Sequence, residues 1–346
     1  MFAQAVLAMY GIIFVVGVAS NAALVRYVLG HWSPRSASNV FLCNLALGDL
    51  LLLLTCVPVD ATRFLSRDWL FGRTGCKLLP FFQLVSVGVS VFTLTALSAD
   101  RYNAIVKPME RAPPHPVRNA CLRAIAIWLL SSALAVPDIL SSEVSAVRVF
   151  NTTFFACMPF SQGEILLPRL HAFWLFIVYY SLPLITIAVF YARISKELCR
   201  SANHLPSEST GNHWHQQVEG RKRLAKTVLV FVLLFATCLL PNHIVYLYRS
   251  FRTTKVPDTS RTHLFFVIFA RVLCFCHACV NPLALYAISS AFRTSVAQQV
   301  CCRQRPTGRQ IERTPRCVRS SRRTESSAMS IGGEMVALQH GVQRVL

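Results

Sequence analysis

Long apolar stretches alternate with shorter polar ones along most of the chain. Seven apolar stretches reach the length of about 20 residues that an α-helix needs to cross the hydrocarbon core of a membrane. Because backbone polar groups inside lipid must be satisfied within their own element, the pattern predicts an all-α membrane protein with a seven-transmembrane helix bundle. The predicted spans lie near residues 3–29, 38–63, 76–103, 120–140, 169–195, 224–248 and 262–287. The longest predicted polar connections are residues 138–168 and 200–223.

A shorter stretch of mixed character follows the seventh span. Residues 289–302 alternate apolar and polar side chains, which predicts a short amphipathic C-terminal helix on the membrane surface. Cys301 and Cys302 end it and are palmitoylation candidates, the alternative being two unmodified thiols. Residues 303–346 are basic and poor in aliphatic side chains, so we expect a disordered tail. The predicted divisions are thus 1–288, 289–302 and 303–346.

Composition and charge agree with a membrane protein and predict its orientation. The chain is 54% hydrophobic and 14% charged, with a formal net charge of +20. Basic residues gather after the third and fifth spans and in the tail, which places these parts inside and the N-terminus outside the membrane. Beside such a bundle, an arginine-rich tail favours attraction to anionic membrane lipids over nucleic acid.

An acid and an arginine close the third span, as Asp100-Arg101-Tyr102. Ionisable groups near hydrocarbon are costly and tend to be paired or functional. The alternative is a simple anchor at the membrane interface. We interpret the pair as a candidate functional site.

Asp49 lies in the middle of the otherwise uncharged second span. A buried carboxylate needs a partner, and Asn21, Ser90 and Asn281 are polar candidates from other spans. Together these groups could hold water or a small cation. The alternative is a protonated aspartate that only joins neighbouring helices.

Motifs for enzymes, cofactors and transport are not found in the sequence. Cys276-His277-Ala278-Cys279 has the spacing of metal ligands, but a second ligand pair is missing, so we interpret it as helix packing. There is no phosphate-binding loop and no nucleophile motif. Repeats of broken helices, which would indicate a transporter, are not seen. We therefore expect neither an enzyme nor a bound cofactor.

Two cysteines and one asparagine mark the predicted outer face. Cys76 opens the third span and Cys157 lies in the longest outer connection, so both face the oxidising side and could pair. Asn151, in Asn151-Thr152-Thr153, fits the acceptor sequence for N-glycosylation.

These residues, in this order, resemble the rhodopsin-like (class A) G-protein-coupled receptors over nearly the whole chain. Asn21 and Asp49 match the polar residues of helices one and two, and the resemblance implies a disulfide from Cys76 to Cys157. Asp100-Arg101-Tyr102 matches the cytoplasmic motif of helix three. The other matching positions are Trp128, Pro183, Tyr191, Pro241, Asn281 and Pro282.

The sequence is most similar to the bombesin receptor subfamily, on the strings at 57–61, 83–109, 219–232, 241–250 and 279–286. The resemblance implies an amidated bombesin-like ligand, such as gastrin-releasing peptide or neuromedin B. The orphan member of the subfamily differs at several implied peptide-binding positions, which favours a peptide binder. Those positions are Gln83, Pro159, Arg249, Ala270 and Arg271.

The same resemblance implies coupling to a Gq-type heterotrimeric G protein and phospholipase C, with calcium release. Asp100 would restrain Arg101, which would contact the G protein once released. Met109 would enter a hydrophobic site on the G protein, and Tyr191 would help hold the open state. Arrestin and receptor kinases would act on the tail. The implied coupling and activation positions are Asp100, Arg101, Tyr102, Pro108, Met109, Tyr191, Phe235, Leu239, Asn281 and Pro282.

Two positions depart from the family pattern. Leu239 stands where helix six usually carries a tryptophan, so the packing of this activation switch must differ. His277 stands where the subfamily has an asparagine in the sodium-linked polar cluster, in which Asp49 and Ser90 are the candidate sodium ligands. A histidine there can charge at low pH or disfavour sodium, but we favour a neutral, hydrogen-bonded histidine. Leu239 supports an alternative function, a decoy receptor that binds peptide without productive coupling.

Overall fold

The computed structural model describes residues 2–30, 37–66, 68–107, 115–149, 152–160, 164–203, 212–252 and 260–300. The predicted tail lies outside these residues. The helices are α1 (Phe2–Gly30), α2 (Ala37–Ala61), α3 (Gly72–Val106), α4 (Pro116–Ser141), α5 (Leu166–Phe176), α6 (Leu182–Asn203), α7 (Asn212–Phe251), α8 (Arg261–Ile288) and α9 (Ser290–Val300). The strands are β1 (Glu143–Val149) and β2 (Thr152–Met158).

The seven predicted spans are confirmed. Seven helical segments in the described part of the chain are long and apolar enough to cross a membrane, and the fifth joins α5 to α6. A π-helical turn over Ile177–Ser181 makes that junction. The predicted short C-terminal helix is confirmed as α9, where Phe292 packs edge-on against Tyr27 of α1 at 5.1 Å between ring centroids.

Both long predicted connections contain more regular structure than expected. Residues 138–168 include the β1–β2 hairpin, in which Val144 lies opposite Cys157. α6 and α7 extend into 200–223, because a helix that leaves the apolar layer can continue with polar residues that hydropathy does not detect.

Close helix approach positions the middle of the bundle. A Cβ added at Gly48 of α2 would lie 2.9 Å from Val89 of α3, so the helices meet where a side chain is lacking. Ser86 donates a hydrogen bond to the Gly48 carbonyl at 2.7 Å. A Cβ at Gly88 would lie 2.8 Å from Ser131 of α4. Small residues therefore bring α2, α3 and α4 together.

One end of the bundle is tied by covalent and hydrogen bonds, and we call it the disulfide end. Cys76 near the start of α3 is bonded to Cys157 on β2, as the sequence predicts. The hairpin is also held by the connection after α2: the Trp69 amide donates to the Phe155 carbonyl, and the Phe155 amide donates to Asp68, both at 2.9 Å. We call the opposite end, where α3 finishes, the Arg101 end.

Candidate ligand-binding and coupling sites

A buried carboxylate organises the disulfide end. Asp60 near the end of α2 is 3% exposed. Tyr10 of α1 donates a hydrogen bond to its Oδ2 at 2.7 Å. Its Oδ1 forms ion pairs with Arg63 Nε at 3.1 Å and with Arg271 Nη1 of α8 at 3.5 Å. The group ties α1, α2 and α8 together.

Positive charge exceeds negative charge in this cluster. The guanidinium groups of Arg63, Arg249 and Arg271 lie within electrostatic range of one another. Asp60 pairs with two of them. Arg249, which is exposed near the end of α7, makes no hydrogen bond or ion pair with the described part of the chain. Its donors are therefore available to a ligand.

The five sequence-predicted ligand positions fall on different elements of the disulfide half. Arg249 and Arg271 share the arginine cluster. Ala270 is buried beside Arg271, Gln83 is half-buried in α3, and Pro159 directly follows β2. The structure brings the two arginines together and connects neither Gln83 nor Pro159 to them through a hydrogen bond among the described residues. Sequence reasoning missed Tyr10, Asp60 and Arg63.

Asp49 is the centre of a second polar cluster, midway along α2. It is 0% exposed. Ser90 of α3 donates to its Oδ1 at 3.0 Å, and the Asn281 side chain of α8 donates to its Oδ2 at 2.9 Å. Asn21 does not reach Asp49; its amide donates to the carbonyls of Gly17 at 2.9 Å and Ala278 at 2.7 Å. Two of the three predicted partners are thus in place.

His277 adds an unmatched nitrogen to this second cluster. Its Nδ1 bonds to the Cys274 carbonyl. A carbonyl accepts only, so Nδ1 carries a proton and Nε2 of the neutral ring is an acceptor. Nε2 lies 3.7 Å from Asp49 Oδ1 and is buried without a hydrogen-bond partner among the described residues. Two acceptors that face each other need a proton, a water molecule or a cation between them.

The sodium candidate must share an oxygen with this histidine. Asp49 and Ser90 offer the oxygen ligands that hard cations prefer. Asp49 Oδ1, however, is the oxygen that faces Nε2 of His277. Asp49 and Ser90 can therefore bind a cation only when the His277 ring is neutral. A protonated ring would itself supply the positive charge beside Asp49 and would replace the ion.

Leu239, the departure in the sixth span, lies in α7 one turn from Phe235, which contacts this cluster. Leu239 is fully buried within the same apolar core as Phe235. The Phe235 ring meets the His277 ring edge-on, with centroids 5.9 Å apart. The two departures from the family pattern therefore occupy one neighbourhood, joined by Phe235.

An asparagine that sequence reasoning missed joins three helices through hydrogen bonds. Asn44 of α2 donates to Thr93 of α3 at 2.6 Å and accepts from the Trp128 indole of α4 at 2.8 Å. This gives Trp128 a structural role. A polar residue inside an apolar span was the available signal.

The Arg101 end carries the predicted pair of charges. Arg101 Nη2 donates to Asp100 Oδ2 at 2.6 Å, and the two side chains are 11% and 23% exposed. Arg101 also bonds to Ser38 of α2, a partner that the sequence did not reveal. Tyr191 lies within electrostatic range of Arg101, and the Tyr102 ring packs against Phe190 of α6 at 5.3 Å. The arginine is thus held by its neighbour and by α2.

Some predicted site residues cannot be placed. They lie outside the described residues and are Pro108, Met109, Asn151, Cys301 and Cys302. Pro282 is described: it is buried inside α8, next to Asn281.

Comparison with known proteins agrees with this arrangement. A family model described as 7 transmembrane receptor (rhodopsin family) matches residues 20–286. The chain is 48% identical over 297 residues to bombesin receptor subtype-3 of Ovis aries, covering 85% of this chain and 74% of that protein. It is 47% identical over 306 residues to a bombesin receptor of Bombina orientalis, covering 87% and 77% respectively.

Proposed function

Since the chain belongs to the bombesin receptors of the rhodopsin family of seven-transmembrane receptors, which are not enzymes, we propose that it binds an amidated bombesin-like peptide at the disulfide end. It signals at the Arg101 end through a Gq-type G protein, phospholipase C and calcium. Gastrin-releasing peptide and neuromedin B are the candidate ligands. The N-terminus and disulfide end face outward at the plasma membrane, and the basic connections and the tail face the cytoplasm.

The observation that carries the proposal is the excess of guanidinium groups around Asp60. A peptide with an amidated C-terminus presents neutral carbonyls and amides. Arginine donates hydrogen bonds and never accepts them, so Arg249 and Arg271 suit peptide carbonyls. Gln83 can both donate and accept, which suits a carboxamide. Pro159 supplies apolar surface, and the buried Ala270 supports the position of Arg271, its neighbour in α8. Because Asp60 already balances part of the charge, the peptide does not need to be anionic.

Peptide binding shifts an equilibrium between bundle conformations that exists without it. Differential contacts in the two conformations supply the free energy. Arg271 joins the peptide site to α8, the helix that also carries His277, Asn281 and Pro282. Movement of α8 or α7 therefore alters the contacts of Asp49 and Phe235. The Asp49 cluster is the hinge region between binding and coupling.

Release of Arg101 from Asp100 is the output step. Arg101 then contacts the G protein, Tyr191 helps hold the open state, and Met109 enters a hydrophobic site on the G protein. Asp100→Asn weakens the restraint, so we expect basal inositol phosphate to rise about fivefold, equivalent to roughly 1 kcal/mol. Unchanged basal output at equal surface expression would contradict the restraint by Asp100.

The tail and the connections supply regulation in this proposal. Arrestin and receptor kinases act on the tail, Cys301 and Cys302 carry palmitate, and Asn151 carries a glycan. Basic residues near the membrane attract anionic lipids.

The test uses cells that express the full chain. Binding of labelled gastrin-releasing peptide and neuromedin B is measured alongside calcium release. We expect saturable binding of at least one peptide together with a calcium response. Absence of both would contradict the ligand assignment.

A binding-only decoy receptor is the second candidate function, and Leu239 favours it. Leucine is smaller than the tryptophan usual in helix six and lacks its indole donor. Binding without calcium release would establish the decoy. The bonded Asp100–Arg101 pair favours coupling.

A further inference from the structure

Three polar side chains from three spans meet at the disulfide end, outside the sites described above. They are Asp138 near the end of α4, His171 in α5 and Tyr246 in α7. His171 Nε2 lies 3.2 Å from Asp138 Oδ2, and His171 Nδ1 lies 3.0 Å from the Tyr246 hydroxyl. The side chains of His171 and Asp138 are only 10% and 9% exposed. Buried polar groups of this kind are costly unless paired, and here each has a partner.

Ring contacts fix the orientation of the imidazole. The Phe160 ring meets His171 edge-on at 5.3 Å between centroids, and the Tyr246 ring meets it at 6.1 Å and 81°. The ring therefore has two aromatic neighbours and polar partners at both nitrogens. It bridges α4 and α7 from its position on α5.

With a neutral imidazole, one proton arrangement satisfies all three groups. The neutral imidazole donates from Nε2 to the Asp138 carboxylate and accepts at Nδ1 from the Tyr246 hydroxyl. The aspartate thereby selects the tautomer, and the tautomer selects the direction of the tyrosine hydroxyl. Among the described residues, Tyr179 lies within electrostatic range of Asp138, and Arg249 lies within electrostatic range of Tyr246.

The network lies beside two proposed peptide contacts. Arg249 follows Tyr246 by three residues, so both lie on one face of α7. Phe160, which packs on His171, directly follows Pro159. The distance between Pro159 and Arg249 therefore depends on how α7 is held against α5.

We propose that His171 is a positioning residue for peptide binding. Through Asp138 and Tyr246 it fixes α7 against α4 and α5, so that Arg249 and Pro159 keep the spacing that the ligand requires. This inference rests on the proposed peptide-binding function. The histidine need not touch the peptide.

The first experiment separates hydrogen bonding from packing at this position. His171→Phe keeps a ring and removes both nitrogens, whereas His171→Gln keeps one donor and one acceptor. We expect His171→Phe to weaken binding of a labelled amidated bombesin-like peptide about tenfold, the effect of losing a hydrogen bond to a charged group. His171→Gln should restore affinity to within about threefold of native. Equal losses in both variants, or no loss in His171→Phe, would overturn the proposal.

A matched pair of tyrosines supplies the second comparison. Tyr246→Phe removes the hydroxyl that meets His171, and Tyr248→Phe removes an exposed hydroxyl two residues further along α7. We expect weaker binding in Tyr246→Phe and native affinity in Tyr248→Phe. Because Tyr246 acts through His171, combining Tyr246→Phe with His171→Phe should add little further loss. Equal effects of the two tyrosine variants, or full additivity of Tyr246→Phe and His171→Phe, would contradict a role of Tyr246 through His171.

Amide hydrogen exchange on the purified, ligand-free receptor tests, independently of the ligand, whether His171 fixes α7 against α4 and α5. We expect faster exchange at the end of α7, around Tyr246, in His171→Phe than in the native protein or His171→Gln. Unchanged exchange would refute the positioning role of His171 even if the peptide binds. Absence of peptide binding by the native chain would instead refute the proposed function. The exchange result would still decide whether His171 fixes α7.

Discussion

Asp49 and Asp60 lie on the same helix and, being 11 residues or about three turns apart, on the same face. Their surroundings differ sharply. Asp49 is surrounded by neutral donors from α3 and α8, with one imidazole nearby. Asp60 is paired with two arginines and a tyrosine. One face of α2 thus carries one carboxylate among neutral donors and another beside two guanidinium groups.

The difference fits the proposed division between a coupling region around Asp49 and a peptide-binding site around Asp60. Hydrogen bonds that Asp49 accepts from neutral donors can be exchanged between helices at smaller cost than ion pairs, which suits a region that rearranges. The ion pairs of Asp60 hold guanidinium groups at the mouth of the bundle, where a ligand can use the remaining donors. Burial is similar for the two acids, so partners rather than depth distinguish their roles.

The largest expected effect comes from removing each charge without changing side-chain shape. Asp60→Asn leaves Arg63 and Arg271 without a counterion, which should lower the free energy of unfolding by about 3 kcal/mol. Asp49→Asn loses an acceptor for one neutral donor and should cost about 1 kcal/mol. Thermal unfolding of the two purified variants and the native receptor in the same detergent measures which variant loses more stability. Equal destabilisation by the two variants would remove the distinction between the two acids.

A smaller effect is expected at His277, which faces the Asp49 oxygen that a sodium ion would use. We expect agonist affinity of the native receptor to be insensitive to replacing sodium by a bulky organic cation. His277→Asn frees that oxygen, and sodium should then lower agonist affinity roughly fivefold, a modest coupling between two sites. His277→Gln, a larger amide, is the matched control for loss of the imidazole alone. Sodium sensitivity in the native chain that His277→Asn does not increase would contradict this role.

The smallest expected effect concerns Leu239, buried beside Phe235. If the missing indole limits coupling, Leu239→Trp should raise the maximal calcium response about twofold at matched surface expression, well under 1 kcal/mol of coupling. Leu239→Phe controls for added volume without an indole donor. Unchanged efficacy in Leu239→Trp would show that the Asp49 cluster transmits the signal without this contact.

The sequence predicted the bundle because the length of an apolar run is a strong constraint in a membrane. It also indicated Ser90 and Asn281 as partners of Asp49, since polar residues inside apolar helices are few. The hairpin was missed, although β-branched and aromatic runs flank residues 150–151, because the connection was read from polarity alone. Packing on α1 and α8 determines which donors reach Asp60, and no local pattern contains that information.

Three of the residues missed in the sequence share one property. Asp60, Asp138 and His171 are ionisable residues near the ends of apolar stretches, where an interfacial position was an adequate explanation. Their partners come from other helices, at separations of 50 residues for Tyr10–Asp60 and 33 for Asp138–His171. Sequence reasoning can mark such residues as candidates, but the pairing follows from the tertiary contacts.

Saturation binding of a labelled amidated bombesin-like peptide to membranes tests the central claim most directly. The native chain is compared with Arg249→Ala and with Arg261→Ala, an exposed arginine at the start of α8. We expect saturable binding to the native chain, at least tenfold weaker binding to Arg249→Ala, since charged hydrogen bonds to the peptide are lost, and native affinity in Arg261→Ala. Equal affinity in all three proteins would contradict the peptide site at the disulfide end.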